Sequence, residues 1–129
     1  MKPFKLMLQT LRKAYDIANH FNEFAGVDTV DYSFFPGKEF QKKWLKIYLN
    51  AFYKLVNKFY ENEPEKQRTV NETMIEELYD EVNKFTAASN LIWSIWSFIQ
   101  AQNSTIDFDF VEYGSTRYGR YMSDKKRLI

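Results

Sequence analysis

The sequence has no cysteine, four glycines, three prolines and one histidine among its 129 residues. Without cysteine there is neither a disulfide framework nor a thiolate metal site, which fits a reducing compartment. A lone histidine, His20, and scattered carboxylates without a second ligand spacing provide no metal cluster, so no metal site is expected. Gly26, Gly37, Gly114 and Gly119 form no Gly-x-Gly run, so no phosphate-cradling loop of that type is encoded. Charge of one sign is also missing: 18 basic residues stand against 17 acidic ones. That balance gives no electrostatic case for nucleic acid or an anionic membrane as partner. No apolar run is long enough to span a bilayer, and charges interrupt Met1–Leu8, so no signal peptide is expected. A cytoplasmic, single-domain protein is the class these absences leave.

What the chain does have is apolar and aromatic mass, 45% hydrophobic residues with 19% aromatic, enough for a real core rather than disorder. With so little glycine and proline, the hydrophobic spacing reads as helix and the fold as mainly α, about four helices around one core. The first is expected over Phe4 to Phe24, followed by a loop to Pro36 with a short extended piece at Thr29 to Tyr32. The second opens near Pro36 and carries Phe40, Trp44, Ile47, Tyr48, Ala51, Leu55 and Phe59 as its apolar stripe. A polar linker follows around Pro64, and Thr69 with Glu72 reads as a capping box for the third helix. That helix carries Ile75, Leu78, Val82, Phe85, Ser89, Ile92, Trp96 and Ile99 at alternating steps of three and four. Asn103 and Ser104 end it. The last helix is expected from about Asp107 to Asp124, weakened by Gly114 and Gly119. Lys125-Lys-Arg127 reads as a solvated end.

Two long strings, Ala14-Tyr-Asp-Ile-Ala-Asn-His-Phe-Asn-Glu-Phe-Ala-Gly26 and Trp93-Ser-Ile-Trp-Ser-Phe-Ile-Gln-Ala-Gln-Asn-Ser-Thr-Ile-Asp-Phe-Asp-Phe110, carry a resemblance to a known family. Asp31-Tyr-Ser-Phe-Phe-Pro36 and Val82-Asn-Lys-Phe85 fall between them in the matching order. The chain resembles the C-terminal part of ethanolamine kinases, within the choline/ethanolamine kinase family, from about Ala14 to about Lys126. Residues 1–13 do not resemble the family; residues 14–129 form its C-terminal helical region. The resemblance implies the helical part of the large lobe of a protein-kinase-like fold. Phe24 and the string Thr105-Ile-Asp-Phe-Asp-Phe110 resemble ethanolamine kinases more than choline kinases, so ethanolamine is the expected substrate and choline the alternative.

An amino-alcohol pocket needs a carboxylate to balance the ammonium and aromatic faces for cation–π attraction. Trp93 and Trp96 stand one helical turn apart and share a face. Spacing alone makes them core residues; by resemblance they line the amino-alcohol pocket, with Phe108 and Tyr113 as further walls and Glu23 as its carboxylate. Asp16 and His20, four apart, are expected to give structural support and could hydrogen-bond to each other. Asp107-Phe-Asp109 imitates the family's metal-binding motif but lies at the start of the last helix, where capping or exposure is expected.

Phosphoryl transfer requires charge compensation and positioning around the phosphates. The family's histidine–asparagine–aspartate loop and aspartate–phenylalanine–glutamate motif have no counterpart in these residues, and no catalytic residue is assigned. ATP and Mg²⁺ are implied for a complete enzyme of the family, and neither is expected to bind this chain alone. The expected function is therefore that of an ethanolamine kinase polypeptide, present as a C-terminal fragment and inactive by itself. The alternative is a non-catalytic isoform that regulates a full-length kinase. Self-association, or association with such a kinase, is the expected partnership.

Overall fold

Ala14, Ile17, Ala18, Phe21 and Ala25 recur at steps of three, one, three and four, and all are buried. That spacing places one narrow apolar face of the first helix inward. The computed structural model describes residues 4–128, excluding the side chains of residues 4–8 and 10; an apolar face at Phe4 and Leu8 lies outside that description. Four α-helices are found among the described residues: α1 (Phe4–Glu23), α2 (Lys38–Phe59), α3 (Glu72–Asn103) and α4 (Phe110–Leu128), with 3₁₀ turns at Tyr32–Phe34 and Pro64–Lys66. The mainly α architecture expected from the sequence is observed. It is consistent with the C-terminal helical part of a kinase-like fold. The extended piece expected at Thr29 to Tyr32 is not found. Asp31 instead accepts a hydrogen bond from the Ser33 amide at 2.9 Å and caps the 3₁₀ turn, the local competition by which Asp favours turns.

The chain forms two units, Met1–Phe35 with Glu81–Ile129, and Pro36–Asp80. In the second unit, α2 starts directly after Pro36-Gly37, and the buried Gln41 side-chain amide donates to the Pro36 carbonyl at 2.8 Å. Lys42 Nζ meets Glu76 Oε1 at 2.6 Å. The hydrogen bond between them is the main reason Glu76 titrates below, and Lys42 above, their usual ranges.

The apolar stripe expected for α2 is a correction. Its buried residues are Gln41, Leu45 and Leu49, while Ile47 is 71% exposed, Leu55 70% and Phe59 81%. Trp44, Tyr48 and Phe52 stack in sequence along the helix, with ring centroids 5.6 and 6.4 Å apart. A four-residue spacing brings side chains together on one helix face, but it does not say whether that face is buried. The third helix needs two corrections as well. Its N-terminal cap is Asn71, whose side-chain oxygen accepts from the Met74 amide at 2.9 Å, rather than a Thr69–Glu72 box. Its buried seam also leaves the expected stripe after Ser89: Ile92, Trp96 and Ile99 are exposed, and Asn90, Ser94 and Ser97 are buried in their place.

Small residues occupy that seam because α4 comes very close. A Cβ built on Gly114 would stand 3.1 Å from Ser97 Cβ, 3.1 Å from Phe98 Cε1 and 3.2 Å from the Ser94 carbonyl oxygen. Ser94 Oγ donates to the Gly114 carbonyl at 2.8 Å across the contact. Gly114 thus enables the α3–α4 crossing, whereas a Cβ on Gly119 would meet nothing within 4 Å, and nothing in the structure explains a glycine there.

The two glycines therefore make opposite predictions. Gly119→Ala gains helix propensity in open space and should stabilise the chain by about 0.5–1 kcal/mol. Gly114→Ala gains the same propensity but drives a methyl into backbone and Cβ atoms, and a net loss of about 1–3 kcal/mol is expected. Urea unfolding midpoints of the two variants should move in opposite directions; a stabilised Gly114→Ala would refute the close crossing.

Candidate functional site

In the first unit the side chain of Arg117 is buried, at 2% exposure. Gly26 ends the α1 turn with φ of +86°, a left-handed conformation that favours glycine. Its amide donates to the Glu23 carbonyl at 3.0 Å, and its own carbonyl accepts from Arg117 Nη2 at 3.2 Å. Arg117 Nη1 donates to the Asn22 carbonyl and to Asn90 Oδ1, each at 3.2 Å, and Nε donates to the Tyr113 hydroxyl at 3.1 Å. The guanidinium also lies 5.2 Å from the Tyr113 ring centroid and 5.5 Å from that of Tyr32. The Tyr32 hydroxyl donates to Asn90 Oδ1 at 3.1 Å. Burial raises the Tyr32 phenol pKa above its usual value, against the lowering effects of Arg117 and Arg120.

Arg117 forms part of the wall of a cavity of about 750 Å³ together with Glu23, Trp93, Trp96, Phe108, Phe110 and Tyr113; Val27, Asp28, Ile106 and Asp107 complete it. The Trp93 and Trp96 rings meet edge to face at 5.3 Å. Trp96 continues to Phe110 at 5.8 Å, Phe110 to Phe108 at 4.9 Å, and Phe108 to Tyr113 at 5.8 Å. These contacts form one aromatic wall from α3 through the 104–109 loop into α4. On the α1 side, Glu23 Oε1 accepts from Asn19 Nδ2 at 3.2 Å, and Asn19 Oδ1 accepts from Trp93 Nε1 at 2.6 Å and from Ser89 Oγ at 3.0 Å.

All five residues assigned to the pocket from sequence, Glu23, Trp93, Trp96, Phe108 and Tyr113, face this one cavity. The two assigned to support do not line it. Asp16 is exposed on α1; His20 packs edge-on to Phe24 at 5.3 Å and its Nδ1 stands 3.8 Å from Glu23 Oε2. Asp109 caps α4, accepting from the Glu112 amide at 2.9 Å, and Asp107 is exposed beside the cavity. The last helix begins at Phe110 rather than at Asp107.

Sequence reasoning missed Arg117, Asn19 and the loop residues Val27, Asp28 and Ile106. The i to i+4 spacing of Asn19 to Glu23 and of Tyr113 to Arg117 was the signal available.

A family model described as choline/ethanolamine kinase matches residues 10–122. The chain belongs to the choline/ethanolamine kinase family. Within that family it is 46% identical over 115 residues to ethanolamine kinase 1 of Homo sapiens, a match covering 89% of this chain and 24% of that protein. It is 42% identical over 117 residues to ethanolamine kinase of Drosophila melanogaster, covering 91% of this chain and 20% of the other. With ethanolamine kinase 2 of Mus musculus the identity is 42% over 116 residues, covering 90% and 27%. The chain thus spans under a third of the length of these choline/ethanolamine kinase family relatives.

ATP-dependent chemistry in this family calls for Mg²⁺, and the residues present do not fit it: among the described residues no three His, Asp or Glu side chains converge as metal ligands. No described helix is long and apolar enough to cross a membrane.

Truncating Arg117 leaves the Gly26 carbonyl without its donor and takes a charged donor from the Asn22 carbonyl and Asn90 Oδ1, which keep only the Ala25 amide and the Tyr32 hydroxyl. Arg117→Ala should cost on the order of 3 kcal/mol or more, since buried acceptors lose a charged partner. Tyr32→Phe should cost about 1 kcal/mol. A phenol pKa raised by folding contributes stability that is fully present below its unfolded value near 10 and is lost as pH rises through the folded value. Denaturation from pH 8 to 11 should show a steeper alkaline loss for the wild type than for Tyr32→Phe; identical slopes would remove Tyr32 from the account.

Proposed function

We propose that this chain forms the amino-alcohol side of an ethanolamine kinase, a cytoplasmic enzyme that phosphorylates ethanolamine for phosphatidylethanolamine synthesis. The observation that carries this reading is one cavity joining a continuous aromatic wall to a carboxylate held in place on α1. Ethanolamine is an ammonium at one end and a hydroxyl at the other. The ammonium is attracted by the ring faces of Trp93, Trp96 and Tyr113 and neutralised by Glu23. Formal charges in the lining are three carboxylates, Glu23, Asp28 and Asp107, against the single Arg117 guanidinium, which favours a cation over an anion. Similarity to ethanolamine kinases from mammals and an insect over about nine-tenths of the chain supports ethanolamine, with choline as the alternative.

In this reading the chain's residues bind and orient the alcohol, hold its ammonium at Glu23 and present its hydroxyl. The groups that handle the phosphates are not among the residues described, so ATP and Mg²⁺ belong to the complete enzyme. The 129-residue chain should bind ethanolamine without turning it over. Glu23→Gln removes the balancing charge at nearly constant shape and should weaken ethanolamine binding about tenfold, in the range of one charge-assisted contact. Trp93→Ala should weaken it several-fold or more through lost cation–π attraction. Titration followed by tryptophan fluorescence, with ADP release measured in parallel, tests both. Ethanolamine affinity unchanged in Glu23→Gln and Trp93→Ala would move the amine site elsewhere, and ethanolamine-dependent ADP release surviving repurification would overturn the expected inactivity.

A further inference from the structure

We propose that Asn19 is the positioning residue of this pocket and sets its preference for a primary over a quaternary ammonium. The inference rests on the amino-alcohol reading above and extends it to selectivity. An indole N–H can only donate, and it points at one end of the Asn19 amide from 2.6 Å. The buried Ser89 hydroxyl meets the same end at 3.0 Å. That end must be the oxygen, because a flipped amide would set its own N–H groups against the indole N–H. The nitrogen end is therefore fixed as a donor toward Glu23 Oε1, 3.2 Å away. One planar amide thus joins the aromatic wall on α3 to the carboxylate on α1 and fixes the spacing between them.

That bracket matters because the Glu23 side chain is 57% exposed and a glutamate has much rotamer freedom to lose. Bonded to Asn19 through Oε1, it holds Oε2 in a defined place 3.8 Å from His20 Nδ1, on the wall of the cavity that the tryptophans also line. A primary ammonium gains there a hydrogen bond to Oε2 together with the ring face, so it depends on where the carboxylate stands. A quaternary ammonium has no N–H and draws only on charge and ring faces, which tolerate a carboxylate that swings. Losing the bracket should therefore lower affinity for ethanolamine and leave choline nearly unaffected.

The experiment uses the 129-residue chain, with ethanolamine and choline as probes in fluorescence titrations and the Trp93 indole N–H signal, assigned through Trp93→Phe, in ¹⁵N NMR. Asn19→Asp keeps the acceptor for the indole and removes the donor to Glu23; Asn19→Ala removes both. The ethanolamine-to-choline preference should fall about tenfold in both variants, the scale of one hydrogen bond to a charged group. The indole signal should move toward that of a free indole N–H in Asn19→Ala, stay in the hydrogen-bonded range in Asn19→Asp, and shift in Glu23→Ala, which removes the acceptor that orients the Asn19 amide. An unchanged preference in both Asn19 variants overturns the proposal, as does an indole signal indifferent to Asn19→Ala. Binding of neither amine by the wild type overturns the pocket reading itself. The bracket is then judged on the indole signal, and one that ignores Glu23→Ala would sink it too.

Discussion

A buried guanidinium with no carboxylate among its hydrogen-bond acceptors is the constraint on which the first unit depends. Taking a charge out of water costs several kcal/mol even after relaxation, and Arg117 offsets that with carbonyls, an amide oxygen and two phenols. Tyr113 belongs to α4 itself, and the other four acceptors each come from a different part of the chain: the end of α1, the Gly26 turn, the Tyr32 turn and the middle of α3. Satisfying Arg117 therefore fixes those segments against α4 at once. The positive-φ glycine belongs to the same constraint, since its turn delivers a free carbonyl to Nη2. Below it, the buried Asp124 gathers Arg120, Arg127 and the Asn90 amide, so Asn90 accepts from Arg117 through its oxygen and donates to Asp124 through its nitrogen. Both ends of one amide are used, which orients it without ambiguity.

Filling the seam between α3 and α4 with serine and glycine has a consequence for the site. Close approach of two helices requires small residues at the contact, and Ser94, Ser97 and Gly114 provide them. The large side chains of the same stretch are then displaced to the flanks. Trp96, Ile95 and Ile99 are exposed for that reason, and Trp93 and Trp96 wall a cavity instead of filling a core. The apolar mass of α3 therefore meets α4 at the flanks of the seam, as in the Trp96–Phe110 contact at 5.8 Å, rather than at its centre.

Element type was legible in the sequence because proline, glycine and asparagine punctuate strongly helical stretches, and four helices follow from that alone. Facing was less legible. In α2 the buried seam of Gln41, Leu45 and Leu49 is less hydrophobic than the half-buried aromatic ladder and the exposed Phe40, Ile47, Leu55 and Phe59, so periodicity pointed to the wrong side. In α3 the expected stripe held through Ser89 and failed once the neighbour became Gly114, a contact far away in sequence. The choice of cap failed for a local reason, since Asn71 and Thr69 are both good N-caps and only the helix start separates them. At the site, residue-by-residue resemblance brought five side chains to one cavity. It had no means to find Arg117, because a buried arginine and a solvated one look the same in a sequence until their partners are known.

The site and the core share parts, and this explains how an open cavity keeps a defined shape. Tyr113 presents its ring to the aromatic wall and its hydroxyl to Arg117; Asn19 presents one end to Trp93 and the other to Glu23. Tyr113, Trp93 and Glu23 are thus each oriented by a side-chain hydrogen bond while they line the cavity. Such bonds hold side chains in place far better than exposed packing does. The lining also separates charge by depth, with the guanidinium buried and the carboxylates of Glu23, Asp28 and Asp107 exposed. A cation approaching from solvent therefore meets the carboxylates before it meets Arg117. A small cation would be drawn toward the tryptophans and stopped short of the guanidinium.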